Sequence, residues 1–180
     1  MASAFSHALS AIAIGKLGTA KKLPAKFWIL GMVCAVIPDL DVVSFNFGIP
    51  YDHLFGHRGF SHSLFFAFAF ALILMPVFFR EYTLFSKVWI GIFIYLVLCT
   101  ASHGLLDAMT SGGKGVAFFA PFENSRYFLP WRPIKVSPIS ISRFFSEWGW
   151  KVIKSELLYV GLPCAIIIFV TWGVRYFKIK

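Results

Sequence analysis

Three long apolar runs constrain the fold of this chain more than any other feature of its sequence. They occupy residues 60–79, 88–106 and 157–177, and each is close to the roughly 20 residues that an α-helix needs to cross a bilayer. We therefore expect each run to form a transmembrane helix. Two shorter apolar segments, residues 27–43 and the N-terminal run to residue 14, are predicted to form a helix pair that enters the membrane incompletely or is shielded by the other helices.

The composition agrees with an integral membrane protein. Apolar residues make up 58% of the chain and charged residues only 14%, which argues against an ordinary soluble domain. We predict an all-α, polytopic membrane helix bundle with about four to five membrane-embedded helices, forming a single domain over residues 1–180. The segment from about 108 to 150 is rich in Gly, Pro, Ser and aromatic residues, and we expect it to form an aromatic-rich extramembrane or interfacial cap.

The net charge of +9 would suggest a nucleic-acid partner in a soluble protein. Here the basic residues flank apolar segments, which predicts contact with anionic lipid headgroups and no nucleic acid. Threading the helices through the membrane collects most basic residues on one side, with Glu81 as the single acid there: Lys16, Lys21, Lys22, Lys26, Arg80, Lys87, Arg175, Lys178 and Lys180. By the positive-inside rule this side is cytoplasmic, in a bacterial inner membrane.

Histidine and aspartate are concentrated in four patches: FSHA, PDLD, DHLFGHRGFSHS and SHGLLDAMT. The threading brings all four patches to the opposite, periplasmic side. His103 and Asp107 are four residues apart, so a helix presents both on one face within reach of one ion. A hydrogen-bonded pair that braces two helices is the alternative for these residues taken alone.

The PDLD patch ends an apolar helix with two carboxylates, Asp39 and Asp41. Pro38 interrupts the helix and would let both carboxylates turn inward, where they need a cation; a solvated helix end is the alternative. In HRGFSHS, two histidines bracket Arg58 and Ser61, and the following helix N-terminus favours an anion such as phosphate. The alternative is a pair of interfacial histidines beside a snorkelling arginine.

Together the patches predict a metal site. Its candidate ligands are His7, Asp39, Asp41, His57, His62, His103 and Asp107. Imidazole and carboxylate ligands without thiolates suit Zn²⁺ and also Mn²⁺ or Fe²⁺. The ligands suffice for two metal ions, most simply two zinc ions, with a third left open.

The same motifs, with APFENSRYFLPWRPI and SELL, resemble over nearly the whole chain the YdjM-like family of inner-membrane proteins, which are described as membrane-bound metal-dependent hydrolases. That family is distantly similar to the zinc-dependent phospholipase C and P1 nuclease group, helical enzymes that cleave phosphoesters with clustered zinc ions. The resemblance implies that His103 and Asp107 correspond to that group's His-x-x-x-Asp ligand pair, with His7, Asp39 and His62 as further ligands.

The sequence departs from that group's pattern in two ways. It lacks the N-terminal tryptophan, and no histidine follows His103 to form a late His-x-x-x-Glu pair. Glu156 in SELL is the candidate replacement for the glutamate.

Our leading hypothesis is a metal-dependent hydrolase that cleaves a phosphoester in a phospholipid or lipid-linked phosphate by metal-activated water. Asp39 or Asp41 would bridge the metals or act as base, with Arg58 and Glu156 as further catalytic candidates. The candidate phosphate ligands are Arg58, Ser61, Arg126 and Arg132, because guanidinium grips two oxygens at once; interfacial lipid anchoring is the alternative for the arginines. Two other functions stay open: a divalent-metal transporter or sensor, and a structural membrane protein stapled by a metal.

Overall fold

A computed structural model describes residues 1–18, 23–138 and 141–178. The described residues form helices and no β-strand, with isolated backbone bridges between Thr110 and Ile134 and between Val116 and Tyr127. The elements are α1 (Ala4–Gly18), α2 (Ala25–Val36), a 3₁₀ segment (Ile37–Phe47), a 3₁₀ turn (Phe60–His62), α3 (Leu64–Phe78), α4 (Lys87–Ala108), α5 (Ile141–Phe144), α6 (Glu147–Glu156), a π-helical turn (Leu157–Gly161) and α7 (Leu162–Lys178). The all-helical prediction is confirmed.

Three continuous helical stretches are long and apolar enough to cross a membrane: Ala25–Phe47, Lys87–Ala108 and Glu147–Phe177. The second and third confirm the spans predicted at 88–106 and 157–177. The first is longer than the segment predicted at 27–43, and α2 within it packs against α1 and α4, in line with the alternative of a helix shielded by the others. The α-helix ends at Val36, and the chain continues through PDLD as the 3₁₀ segment, where Pro38 lies in the first turn and a missing N–H costs least.

The helix in the region predicted to span the membrane at 60–79 is, in contrast, shorter than predicted. Its helix α3 covers only 15 residues, or about 22 Å at the helical rise, against a hydrocarbon core of about 30 Å. Residues 60–62 turn separately, and the hydroxyl of Ser63 then caps α3 by accepting the backbone N–H of Phe66 at 3.0 Å. The polar start of the run therefore belongs to a turn rather than to the span.

Helices α1, α2 and α4 pack against one another, α3 packs on α4, and α7 packs on α1. Small and aromatic side chains fill the space between α2 and α4, where the rings of Phe27 and Tyr95 stack at 3.9 Å. Outside this core, α3, α4 and α7 expose large apolar side chains, among them Ile73, Ile94 and Phe169. Such faces suit a hydrocarbon environment.

Residues 109–138 form the irregular part of the predicted cap, and α6 already begins at Glu147. The cap is held to the loop before α3 by backbone hydrogen bonds, from Ala117 N–H to the Arg58 carbonyl at 3.0 Å and from Leu64 N–H to the Phe118 carbonyl at 3.0 Å. It therefore lies over the ends of α3 and α4 that carry the histidine and aspartate patches.

Candidate metal centre

Four side chains with metal-binding atoms converge at one end of the bundle: Asp39, His62, His103 and Asp107. One ligand atom from each lies within 4.8 Å of all the others. The Nε2 atoms of His62 and His103 are 3.0 Å apart, Asp39 Oδ1 is 3.2 Å from His103 Nε2, and Asp107 Oδ2 is 3.6 Å from His62 Nε2. The residues come from the 3₁₀ segment, the turn before α3 and the last turns of α4, so only the folded chain forms the group.

The ring of His103 is oriented by the chain. Its Nδ1 lies 2.7 Å from the carbonyl oxygen of Ala35 on α2. A carbonyl only accepts hydrogen bonds, so Nδ1 carries the hydrogen and the neutral ring presents the lone pair of Nε2 to the group. This is how a protein orients a histidine for a metal ion.

Gly104 allows the two histidines to meet. A Cβ atom at this position would lie 2.8 Å from the carbonyl oxygen of His62, closer than a side chain tolerates. The absence of a side chain on α4 thus lets the turn that carries His62 approach the helix beside His103.

The group and the neighbouring His7 contain buried polar atoms that make no hydrogen bond. Among the described residues, Asp39 Oδ1, Asp107 Oδ2 and both ring nitrogens of His7 are in this state. The His7 ring stacks on His103 with centroids 3.8 Å apart, and its Nε2 lies 3.6 Å from Asp107 Oδ1. Buried polar atoms without partners are costly, and nitrogen and carboxylate lone pairs are the donors that a divalent cation takes. The residues present therefore fit a metal ion.

Arg58 partly balances the negative charge. Its side chain is almost completely buried, and its Nε lies 2.9 Å from Asp107 Oδ2, although not in the orientation of a hydrogen bond. Its other nitrogens donate to the Thr110 hydroxyl and the Gly112 carbonyl, each at 3.0 Å. The amino group of Met1, 3.8 Å from Asp107 Oδ1, is a second basic group beside this carboxylate.

Burial alone would lower the pKa of His62, but Asp107 and Asp41 outweigh it and raise this pKa to about 9. Burial lowers the pKa of His57 in spite of its contact with Asp41. His62 has a carboxylate on each side, and these two carboxylates favour its protonated form.

This arrangement and the sequence motifs that form it can be compared with known proteins. The family model described as YdjM inner membrane protein matches residues 1–179. The chain belongs to the YdjM family. It is also 39% identical to the inner membrane protein YbcI of Escherichia coli strain K12 over 175 residues, which are 97% of this chain and 99% of YbcI. No solved structure matches. Family membership and the apolar helices establish an integral inner-membrane protein.

In this YdjM family member a second group adjoins the first. Asp41, His57 and His62 also bring one ligand atom each within 4.8 Å of one another. Nδ1 of His57 is 2.6 Å from Asp41 Oδ1, and Nδ1 of His62 is 3.1 Å from Asp41 Oδ2. Ser61 donates its hydroxyl to Asp41 Oδ2 at 2.6 Å. The two groups share His62, whose nitrogens face opposite ways.

Three other predicted site residues make contacts elsewhere. Arg126 donates to the carbonyl oxygens of Tyr51 and His57, each at 2.7 Å, and so braces the loop before α3. The guanidinium of Arg132 is exposed and lies 4.6 Å from the Phe128 ring. Glu156 accepts hydrogen bonds from serines at the start of α1, including the Ser6 hydroxyl at 2.8 Å, and it is in neither His/Asp group.

Sequence reasoning missed three contributors to this YdjM family site. Besides Gly104, the backbone N–H of Ala2 donates to Asp107 Oδ1 at 2.8 Å, and Thr110 links Asp107 to Arg58 by donating to the Asp107 carbonyl at 2.7 Å. Thr110 lies three residues after Asp107 at the end of α4, and this position indicated a local cap. No sequence pattern indicated its long-range contact with Arg58.

Proposed function

We propose that this protein is a metal-dependent hydrolase of the inner membrane that cleaves a phosphoester in an amphiphilic substrate, a phospholipid or a lipid-linked phosphate. One observation carries the proposal. Unsatisfied carboxylate oxygens of Asp39 and Asp107 lie close to the ring nitrogens of His62 and His103 at one end of the bundle, and the unsatisfied ring of His7 lies beside them. A divalent cation satisfies them together, and hydrolysis is the chemistry that such a cation commonly serves in an enzyme.

Asp39, His62, His103 and Asp107 would hold the cation, with His7 beside them. Two imidazoles and two carboxylates suit Zn²⁺, with Mn²⁺ and Fe²⁺ as alternatives. When bound, the cation would supply a Lewis acid for a phosphoryl oxygen and lower the pKa of a water molecule.

The chain's own residues would provide access and orientation. The Asp39 side chain is 11% exposed, whereas those of His62, His103 and Asp107 are fully buried. Asp39 therefore stands at the open edge of the group, where it can accept a proton from water. Arg58 would favour an anionic substrate through its charge rather than by contact, because it is almost completely buried. Its Nε lies beside Asp107, and its other nitrogens donate to Thr110 and Gly112.

An amphiphilic substrate is supported by the surroundings of the site. Large apolar side chains are exposed at the same end of the bundle, among them Phe47, Phe55 and Phe122. Phe47 ends the segment that carries Asp39, and Phe122 packs edge-on against Phe65 at the start of α3, with ring centroids 5.6 Å apart. Aromatic side chains of this kind sit at a membrane interface or contact acyl chains. We infer from the positive-inside rule that this end faces the periplasm.

A metal-stapled structural protein is the second candidate, and the burial of three ligands favours it. A cation joining the 3₁₀ segment, the turn before α3 and the end of α4 would stabilise the fold without any reaction. The two candidates share the metal and differ in turnover.

The test combines metal content with hydrolysis. Elemental analysis of the detergent-purified protein should find a bound divalent metal, and His103→Ala should lose it. His53→Ala is the matched control, because His53 is exposed and outside both groups; it should retain the metal. Mixed micelles of phospholipid and detergent then serve as substrate, with release of the phosphorylated headgroup as the readout.

Retention of the metal by His103→Ala would remove the metal assignment. A metal-loaded wild type that hydrolyses no phospholipid or lipid-linked phosphate would favour the staple. Turnover that is lost in His103→Ala and kept in His53→Ala supports the hydrolase.

A further inference from the structure

The two His/Asp groups that share His62 differ in whether the lone pairs of their carboxylate oxygens already accept hydrogen bonds. We propose that Asp41 is a positioning residue that holds His62 through its Nδ1 side, so that this centre binds one cation, at Asp39, His62, His103 and Asp107, rather than two. This inference rests on the proposed metal site and deepens it. It concerns which carboxylates are free to bind a cation.

Asp41 already has four polar neighbours. Its Oδ2 accepts the backbone N–H of Arg58 at 3.0 Å and the hydroxyl of Ser61 at 2.6 Å, and it lies 3.1 Å from Nδ1 of His62. Its Oδ1 lies 2.6 Å from Nδ1 of His57. Each carboxylate oxygen has two lone pairs, so Oδ2 is fully used and Oδ1 keeps one at most.

The carboxylates of the first group are in the opposite state. Asp39 Oδ1 and Asp107 Oδ2 receive no hydrogen bond and are buried. Among the described residues, every imidazole or carboxylate atom that is both buried and without a hydrogen bond belongs to His7, Asp39 or Asp107, and none to Asp41, His57 or His62. The need for a cation is therefore confined to one side of His62.

The neighbours of His62 decide its tautomer. Ser61 lies 3.0 Å from Nδ1 of His62, and its only hydroxyl hydrogen is already donated to Asp41. Both Ser61 and Asp41 can then only accept at Nδ1, so Nδ1 carries the hydrogen. The neutral ring keeps its lone pair on Nε2, which faces His103. A carboxylate behind a histidine in this way fixes the ring and raises its basicity as a ligand.

The backbone and side chain of Arg58 connect Asp41 with Asp107. Arg58 is a non-glycine residue in the left-handed region, with φ of 62°, a conformation that is unfavourable for a residue with a Cβ atom. In it the N–H donates to Asp41 while the side chain reaches Asp107. Such strain is retained where the surrounding contacts fix it, and here it holds Asp41 and Asp107 on opposite sides of His62.

Zinc loading of detergent-purified protein, followed by removal of free metal, tests the inference. Elemental analysis counts the bound equivalents, and competition with a chelator gives the affinity for Zn²⁺. We expect one equivalent in the wild type and about 10–100-fold weaker binding in Asp41→Ala, the usual effect of removing an outer carboxylate. Asp41→Asn keeps an acceptor oxygen for Nδ1 and should lie between them.

Asp52→Asn is the matched control. Asp52 is 62% exposed and pairs with Lys114 at 2.6 Å, and neither His/Asp group includes it, so its zinc affinity should equal that of the wild type. Should Asp41→Ala not fold, the isosteric Asp41→Asn decides by the same criterion.

A wild type that binds no zinc would remove the proposed function and the inference together. Two equivalents in the wild type would overturn the inference and leave the proposed function standing. One equivalent with unchanged affinity in the Asp41 variants, or complete loss of zinc in folded Asp41→Asn, would also overturn the positioning role.

Discussion

At the scale of single residues, His62 is the point on which the site depends. Its Nδ1 lies 3.1 Å from Asp41 and its Nε2 lies 3.0 Å from His103. The Nδ1 of His103 donates to a carbonyl, so two neutral rings would present two lone pairs to each other. Either a cation or a proton must lie between them, and the raised pKa of His62 assigns the proton to this ring when no metal is bound.

The first prediction concerns the pH dependence of the metal-free protein. The folded pKa of His62, about 9, is above its unfolded value of 6.5, so protonation of His62 stabilises the fold fully below about pH 6.5. That contribution is lost as the pH rises through about 9. The Met1 amino group acts in the opposite direction, because burial lowers its pKa. The thermal midpoint of chelator-treated wild type should therefore fall over this range relative to that of His62→Gln, which keeps the amino group. His53→Gln should keep the wild-type profile. A constant difference between the wild-type and His62→Gln midpoints from pH 6.5 to 9 would contradict the prediction.

At the scale of elements, the end of α4 organises the site. His103 and Asp107 lie one turn apart and face the turn that carries His62, while the 3₁₀ segment brings Asp39 to within 3.2 Å of His103. Because Gly104 has no side chain, the His62 carbonyl can lie against α4. The distance between α4 and the turn that carries His62 therefore decides whether the ligand atoms lie close enough to bind one cation.

The second prediction compares two glycines of α4. Gly104→Ala should push the His62 turn away from the helix and weaken zinc binding by about tenfold or more, as loss of ligand positioning commonly does. Gly91→Ala is the matched control: a Cβ there meets nothing within 4 Å, so zinc affinity should be unchanged and stability should rise by up to about 1 kcal/mol. Chelator competition and thermal unfolding measure both. Equal zinc affinities in the two variants would sink the positioning argument.

At the scale of the whole molecule, the bundle has two chemically different ends. At one end Lys26 donates to the Phe78 carbonyl at 2.7 Å and pairs with Glu81 at 2.5 Å, and Arg175 donates to the Lys16 carbonyl. The His/Asp groups are at the other end. The start of α2 and the ends of α1, α3 and α7 thus lie at the basic end, as the threading of the basic residues requires.

The third prediction assigns the two ends to the two sides of the membrane. Thr83→Cys lies in the exposed loop between α3 and α4 at the basic end, and Ser125→Cys lies in the exposed cap. In intact spheroplasts an impermeant maleimide should label Ser125→Cys, and should label Thr83→Cys only after permeabilisation. The three native cysteines are buried, so the wild type serves as the unlabelled control. The reverse labelling pattern would place the site in the cytoplasm.

Local sequence patterns were enough to predict the class of the fold and part of the site. Hydropathy over about 20 residues identified the spans of α4 and α7, because transfer of a helix to hydrocarbon depends on local composition. The spacing of His103 and Asp107 placed them on one helical face, because helical geometry is also local.

The remaining features depend on how distant parts of the chain pack together. The helical segment from Ala25 extends through PDLD, and the helix after HRGFSHS is shorter than predicted. Asp41 of the first region contacts Ser61 and His62 of the second, so these polar residues are partners in the folded chain. Packing also places Arg58 beside Asp107, 49 residues away in the sequence, and surrounds Asp41 with four polar neighbours. Hydrogen-bond partners at such separations are fixed by how elements pack, and no local pattern of residues encodes them.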